Sequence, residues 1–289
     1  MSALRRAATS GTDVACRAVG RRHVVRAARF VFRRACLDVP NDLRTNGESS
    51  LQRWTLGLSP AGRDIHVVDV GANVGQWSDA MRGAARQVGR LDDLDLHAFE
   101  PSSYTFARLS AALGGQGVSL HQVALSDMSG RSTLHVAAPG AGTNSLHAQP
   151  SVPDGAATEA VATTTLDAYA DRTGLQHITL VKIDTEGHDL AVLRGARRLF
   201  ADQRIMITQF EYNHRWLYSR SFLYDAFDLL EPFGYRLGKL TPRGVEFYRG
   251  WDADLETFVE GNYVACAAAI AERLPSVAWW KQGNERRSR

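Results

Sequence analysis

The chain has 289 residues, 44% hydrophobic and 22% charged, a size that holds one large α/β domain with additions around a sizeable core. Its net charge of +3 hides an asymmetry: residues 1–36 carry nine arginines, no lysine and one acid (Asp13), while the rest carries 25 basic and 30 acidic residues. A mildly acidic body behind a basic start excludes nucleic acid as the main partner, and the lack of any run of about 18 apolar residues excludes a transmembrane helix.

The first predicted element is the basic segment. Between Arg21 and Arg34, arginines alternate with Ala, Val and Phe at a spacing that suits an amphipathic helix with a cationic face. Such a helix can make loose peripheral contact with an anionic membrane surface, or stand as a solvated helix packed on the main domain. A partly disordered start and an organellar transit peptide are further readings, though nothing marks a cleavage site. Cys16, Cys36 and Cys266 are far apart and in no metal-ligand spacing, which fits a reducing cytosol and gives neither a disulfide framework nor a zinc site.

Next comes Val67-Val-Asp-Val-Gly-Ala-Asn-Val-Gly75. An apolar run ends in an acid, passes two glycines and opens a helical pattern near Gln76. This predicts a buried parallel strand, a tight turn and a helix start, the place where α/β sheets bind nucleotide-like ligands. A dinucleotide fingerprint would need glycines where Asn73 and Gln76 stand, and no phosphate-cradling G-x-x-x-x-G-K-[ST] occurs. The pattern D-x-G-x-x-x-G suits a ligand without phosphate, such as S-adenosylmethionine (SAM); a plain strand-to-helix turn is the bland alternative.

Leu94-Asp-Leu-His-Ala-Phe-Glu-Pro101 predicts a second strand ending at Glu100, a carboxylate placed to accept both hydroxyls of a ribose; a solvated strand-end charge is the bland alternative. Pro101 is expected to start the helix 102–113. A third strand follows at 118–125. Residues 131–137 and 159–164 read as an antiparallel insertion around a Gly/Ala/Pro-rich loop at 139–155. Thr165 or Asp167 caps a short helix. Strand 178–184, helix 188–200, strand 205–211, a long helix at 221–231 and strands at 235–240, 245–248 and 262–268 complete the alternation of a doubly wound sheet, without an internal repeat.

Two strand ends hold dense polar clusters. In Lys182-Ile-Asp-Thr-Glu-Gly-His-Asp189, the acids Asp184 and Glu186 with His188 could bind a cation, position a hydroxyl or remove its proton. Helix capping is the alternative, and it accounts best for Asp189. In Gln209-Phe-Glu-Tyr-Asn-His-Arg-Trp216, Glu211 falls at the strand end and His214 on the following loop. Tyr212 and Trp216 read either as a stacking platform for a sugar or ring-shaped acceptor, or as core cover.

These segments together resemble the FkbM family of SAM-dependent methyltransferases. The matching pieces are Asp69-Val-Gly-Ala-Asn-Val-Gly75, Phe99-Glu-Pro101, Ala124-Leu-Ser-Asp127, Thr165-Leu-Asp167, Val181-Lys-Ile-Asp-Thr-Glu-Gly187, Val192-Leu-Arg-Gly-Ala196 and Phe210-Glu211, in the family's order over roughly residues 65 to 240. The resemblance implies a Rossmann-like class I methyltransferase fold: a mostly parallel doubly wound sheet with an antiparallel C-terminal strand. The expected division is a basic helical extension (1–60), a methyltransferase domain (61–270) and a basic tail (271–289). It further implies that Asp69, Gly71, Asn73 and Gly75, with Ala72 and Gln76 of the same turn, hold the methionine end of SAM. Glu100, beside Pro101, would hold the ribose, and Ser126 or Asp127 would lie near the adenine. Asp184, Glu186 and Glu211 would face the reaction centre. The Gly142-Thr-Asn-Ser-Leu146 loop looks like a further family element, but the family usually has serine where Thr143 or Asn144 stands. The family often has Glu at the place of Asp189 and varies at 188, so no role is inherited by His188.

The implied activity is O-methylation of a sugar hydroxyl on a glycolipid or other glycoconjugate, with a polyketide hydroxyl as runner-up. A nicotinamide-dependent oxidoreductase and a non-catalytic SAM-binding module are the readings from other classes. An aliphatic hydroxyl needs a base, here His188, then Glu186, then His214; a Mg²⁺ held by Asp184 and Glu186 is the alternative. The expected location is cytoplasmic, with membrane association as an option.

Overall fold

The computed structural model describes residues 3–138, 140, 142–150 and 157–281. The elements in chain order are α1 (Ala3–Val19), α2 (Arg21–Ala35), α3 (Glu48–Leu58), β1 (Ile65–Val70), α4 (Gln76–Gln87), β2 (Leu94–Phe99), α5 (Ser103–Leu113), β3 (Val118–His121), β4 (Ala124–Leu125), β5 (Gly130–His135), β6 (Thr158–Thr164) and α6 (Leu166–Thr173). Then follow β7 (Ile178–Ile183), α7 (Asp189–Arg194), α8 (Arg197–Ala201), β8 (Ile205–Tyr212), α9 (Leu223–Leu230), β9 (Tyr235–Thr241), β10 (Gly244–Phe247), β11 (Gly261–Ala267) and α10 (Ala268–Ala271).

Eight strands form one sheet in the order β10-β9-β11-β8-β7-β1-β2-β3. β3, β2, β1, β7 and β8 run parallel, and β11 enters antiparallel between β8 and β9. This is the expected doubly wound sheet with its antiparallel C-terminal strand. β1 and β7 are near-continuous apolar runs because helices cover both faces. Alternation sends Val68, Val70, Val181, Ile183, Phe210 and Tyr212 to one core and Ile65, Val67, Leu180 and Ile207 to the other. Asp69, Lys182, Gln209 and Glu211 share the parity of the second set, so they emerge together on the face that α3 and α4 cover.

The structure departs from the sequence reading at several boundaries. The strand expected at 118–125 is two: β3 joins the main sheet, whereas β4 pairs with β6 in a separate three-stranded sheet with β5. Pro101 lies outside α5, whose N-cap is Ser102. The helix expected at 188–200 breaks after Arg194. There the Gly195 carbonyl accepts from Asp167 N, and the Asp167 carboxylate accepts from the amides of Arg198 and Leu199, both at 3.0 Å, starting α8 afresh. Gly195 is required for closeness: a Cβ there would lie 1.9 Å from the Ser126 carbonyl oxygen. Thr165 caps α6 by accepting from Ala168 N at 3.0 Å. Of the expected 139–155 loop, residues 139, 141 and 151–155 lie outside the described residues, as do residue 156 and, of the basic tail, 282–289.

The chain divides into two compact units, residues 1–40 and 41–289. The expected extension to residue 60 is therefore split. Residues 41–58 belong to the second unit, where Leu51, fully buried, anchors α3 on the sheet at roughly 1.5–3 kcal/mol for such a side chain. In the first unit, α1 and α2 pack on each other and neither has a buried residue. Among the described residues no helix is long and apolar enough to cross a membrane.

Candidate active site

The carboxyl ends of β1, β2, β7 and β8 assemble the site. The amides of Gly71 and Ala72 both donate to the Phe99 carbonyl, at 3.0 and 2.9 Å, tucking the first turn onto β2. Gly71 has φ +76°, and a Cβ there would sit 1.9 Å from the Asp184 carbonyl oxygen, so only glycine lets the β1 and β7 loops touch. Gly75 packs closely on α5, where a Cβ would strike Leu113 and Leu109.

Asn73, itself left-handed at φ 49°, donates its amide to Glu100 Oε2 at 3.1 Å, and Ser102 N donates to Oε1 at 2.9 Å. Burial pushes the Glu100 carboxyl up to about 7 against the pull of those amides. A carboxylate has about four acceptor sites; the two left over suit a vicinal diol.

Behind the turn lies a buried charge network. Asp69 is fully buried; its Oδ2 accepts from Ser78 Oγ at 2.6 Å, and its Oδ1 lies 3.2 Å from Lys182 Nζ. Lys182 also reaches Asp184 Oδ2 (3.5 Å) and donates to the Gly71 carbonyl (3.2 Å). Burial alone would depress its ammonium, but Asp69, Asp184 and Glu48 hold it above its usual value. Asp69 is thus a correction to the sequence reading: it anchors the turn through Lys182 and has no surface to offer a ligand.

Three acids converge beside it. Carboxylate oxygens of Asp184, Glu186 and Glu211 lie within 4.8 Å of one another. Glu186 is held at φ 57°, and Arg215 Nη1 stands 2.8 Å from its Oε2. Burial, then Asp184, pushes Glu186 up to about 8 against that arginine. Glu211, receiving Asn41 Nδ2 at 3.2 Å and Asn213 Nδ2 at 2.5 Å, is raised well above the usual range by burial, then Asp184 and Glu186. Asp189 caps its own loop, accepting from Thr185 N and Gly187 N.

His188 lines the cavity but is held between two loops, His214 lies at the surface, and the two aromatics read as a stacking platform or core cover enter the core. His188 Nε2 lies 2.9 Å from Ser126 Oγ and Nδ1 lies 3.0 Å from His147 Nε2, so the ring bridges two loops. Burial, then His147, lowers it to about 4. His214 is exposed, edge-on to Tyr218. Tyr212 and Trp216 are fully buried, with Trp216 Nε1 donating to the Glu211 carbonyl, so they are core cover and not a stacking platform. Ser126 and Asp127 also miss the cavity wall; Ser126 holds His188 and Asp127.

Two cavities meet at Gly71, Asn73, Gly142 and Asp184. One, of about 580 Å³, is bounded by Glu100 and Pro101, by apolar Phe99, Val123, Leu125, Leu134 and Leu146, and by Glu186 and His188. The other, of about 680 Å³, is polar, with Asn41, Glu48, Ala72, Gln76 and Lys182. An apolar slot with a carboxylate at its rim fits a nucleoside, and a charged annex fits an amino-acid group. Together they fit the parts of SAM.

Sequence reasoning gave no role to Lys182, Glu48, Asn41, Asn46, Gln209 or Asn262. Yet Glu48 accepts from Asn46 (2.6 Å), Gln209 (2.7 Å) and Asn262 (3.4 Å), which ties the start of α3 to β8 and β11. Lys182 alone had a signal, a lysine inside an apolar strand; the others read as ordinary polar residues. Ser145, in the Gly142-to-Leu146 loop, donates to the Glu186 carbonyl at 2.8 Å.

The model of the methyltransferase FkbM domain matches residues 69–237. No curated protein matches the sequence. Similar solved structures include precorrin-6y C5,15-methyltransferase from Geobacter metallireducens (13% identity, 76% of this chain and 87% of that one, TM-score 0.37). WbdD gives 14% identity over 79% of this chain and 41% of that one, with TM-score 0.40. Aeropyrum pernix fibrillarin with bound SAM gives 10%, 75%, 74% and 0.38. Likeness this distant says nothing of substrate. The domain match, spanning more than half the sequence and running from Asp69 through both polar clusters, is what decides: this chain belongs to the FkbM methyltransferase family.

Proposed function

We propose that the chain transfers a methyl group from SAM to a hydroxyl oxygen of a sugar in a glycolipid or other glycoconjugate. The observation that carries the reading is the pair of cavities adjoining at Asp184, with Glu100 and a raised carboxylate, Glu186, both on the wall of the apolar one. SAM, when bound, supplies an electrophilic methyl on a sulfonium. Glu100 would take the ribose hydroxyls, and the annex of Gln76, Lys182 and Asp184 would take the methionine end. Val123, Leu125 and Leu146 would cover the adenine and exclude water.

Glu186 is the base this reading favours. A carboxylate held near pH 8 accepts a proton far better than a solvent-exposed one, whereas His188 at about 4 is a weak base engaged on both nitrogens. A Mg²⁺ route has less support, because Arg215 and Lys182 already neutralise the acids from 2.8 and 3.5 Å. Replacing Glu100 by Ala is expected to weaken SAM binding by about 100-fold, from the loss of two hydrogen bonds to a charged group. Calorimetric titration reads this, and unchanged affinity would move the nucleoside out of that cavity.

The first unit supports a lipid-linked acceptor. At 100° per residue, Val24, Val25, Ala28, Val31 and Phe32 of α2 form one face and Arg22, Arg26, Arg29 and Arg33 the adjacent one. Val25, Val31 and Phe32 are exposed. Each arginine near an anionic surface contributes about 1 kcal/mol, and the apolar ridge can sink into the headgroup boundary. The full chain should sediment with phosphatidylglycerol-containing vesicles and stay in solution with pure phosphatidylcholine. Val25→Asp with Phe32→Asp should abolish sedimentation; sedimentation that survives both the double substitution and high salt would refute this surface.

A further inference from the structure

A second cluster of chemistry-bearing side chains lies outside the acid cluster, with His66 and Asp95 near the amino ends of β1 and β2 and His97 midway along β2. In the parallel register His66 stands beside Asp95, and His97 follows two residues along β2, so all three share one sheet face. Asp95 Oδ2 lies 2.9 Å from His66 Nδ1 and 3.0 Å from His97 Nε2, so both rings turn a nitrogen onto the same oxygen. The three donor atoms all fall within 4.8 Å of one another.

We propose that His66, Asp95 and His97 form a binding site for a borderline divalent transition metal such as Zn²⁺, Co²⁺ or Ni²⁺. The Asp95 oxygen lies about 3 Å from each imidazole nitrogen, which matches the ligand edges expected for metal bonds of about 2.0–2.2 Å. Imidazole donors select this class over Mg²⁺. The outer shell is also built. Tyr169 Oη lies 2.8 Å from His97 Nδ1 and 2.8 Å from His121 Nε2, fixing the His97 ring from its other nitrogen. The Asp95 side chain is 45% exposed, which leaves a path from solvent. His177, exposed, with its ring centroid 4.8 Å from that of His66, is near enough to add a further donor.

The site serves structure rather than methyl transfer. His66 precedes Asp69 by three residues, about 10 Å along the strand, and sits at the end of the sheet opposite the cavities. A bound ion would clamp β1 to β2 at the foot of the strand that carries the glycine turn.

The test uses tag-free, chelator-stripped full-length chain, titrated with Zn²⁺ by calorimetry and with Co²⁺ by visible absorption. One equivalent per chain is expected, with a higher melting temperature at saturation. His66→Asn and Asp95→Asn should each weaken binding by about 100-fold or more, and Tyr169→Phe by about 10-fold. Glu186→Gln, in the acid cluster, should leave it unchanged. Absence of binding, equal binding by the His66 and Asp95 variants, or loss of binding in Glu186→Gln would overturn the proposal, leaving a hydrogen-bonded cluster or an ion held among the acids.

Discussion

Glu186→Gln is expected to lower kcat by ~100- to 10,000-fold, the usual contribution of a positioned base, while SAM affinity stays within about threefold. The amide keeps the size and the neighbourhood of Arg215 but cannot take a proton. In the parent enzyme kcat should rise with pH and level off above about 8, because Glu186 acts only when ionised. The same group makes stability pH-dependent. Its folded pKa lies above the unfolded one, so between about 4.5 and about 8 the folded chain keeps a proton that the unfolded chain has lost. Glu186 therefore costs stability progressively as pH rises through that window, and Glu186→Gln should flatten this part of the curve. Single-turnover rates and urea unfolding across pH check both halves. Full turnover in the variant would pass the base role to Glu211.

Lys182→Met should destabilise the fold by about 3–5 kcal/mol, because it leaves Asp69 fully buried without its partner. It should also loosen the glycine turn, since Lys182 Nζ holds the Gly71 carbonyl. Adding Asp69→Asn should recover much of the loss, as an unpaired neutral amide is far cheaper to bury than a charge. Urea denaturation of the two single variants and the double variant measures the coupling. Additive losses would mean that the pair does not act as a unit.

What the sequence revealed depended on whether the chemistry was local. The Asp69-to-Gly75 turn and Glu100 were legible because a strand, a turn and a helix start are consecutive in the chain. The grouping of Asp184, Glu186 and Glu211 was legible through the family pattern, which sets the first two just past the end of β7 and the third near the end of β8. His188 was not: its direction is set by Ser126 and His147, residues 62 and 41 positions away. Tyr212 was open to two readings until its parity with Phe210 placed it in the core. β4 left the third strand because its partner β6 lies across an insertion, a pairing that local pattern does not encode. Asn41, Asn46 and Glu48 precede the matched domain, yet Asn41 and Glu48 line the polar cavity and Asn46 donates to both.

The most direct test incubates the purified chain with methyl-labelled SAM and glycolipid extracts, then hydrolyses the product and identifies the labelled fragment. Label in an O-methylated sugar, lost in the Glu100→Ala and Glu186→Gln variants, is the predicted result. Label on carbon or on the protein itself, or tight binding of NAD(H) with none of SAM or its demethylated product, would contradict it.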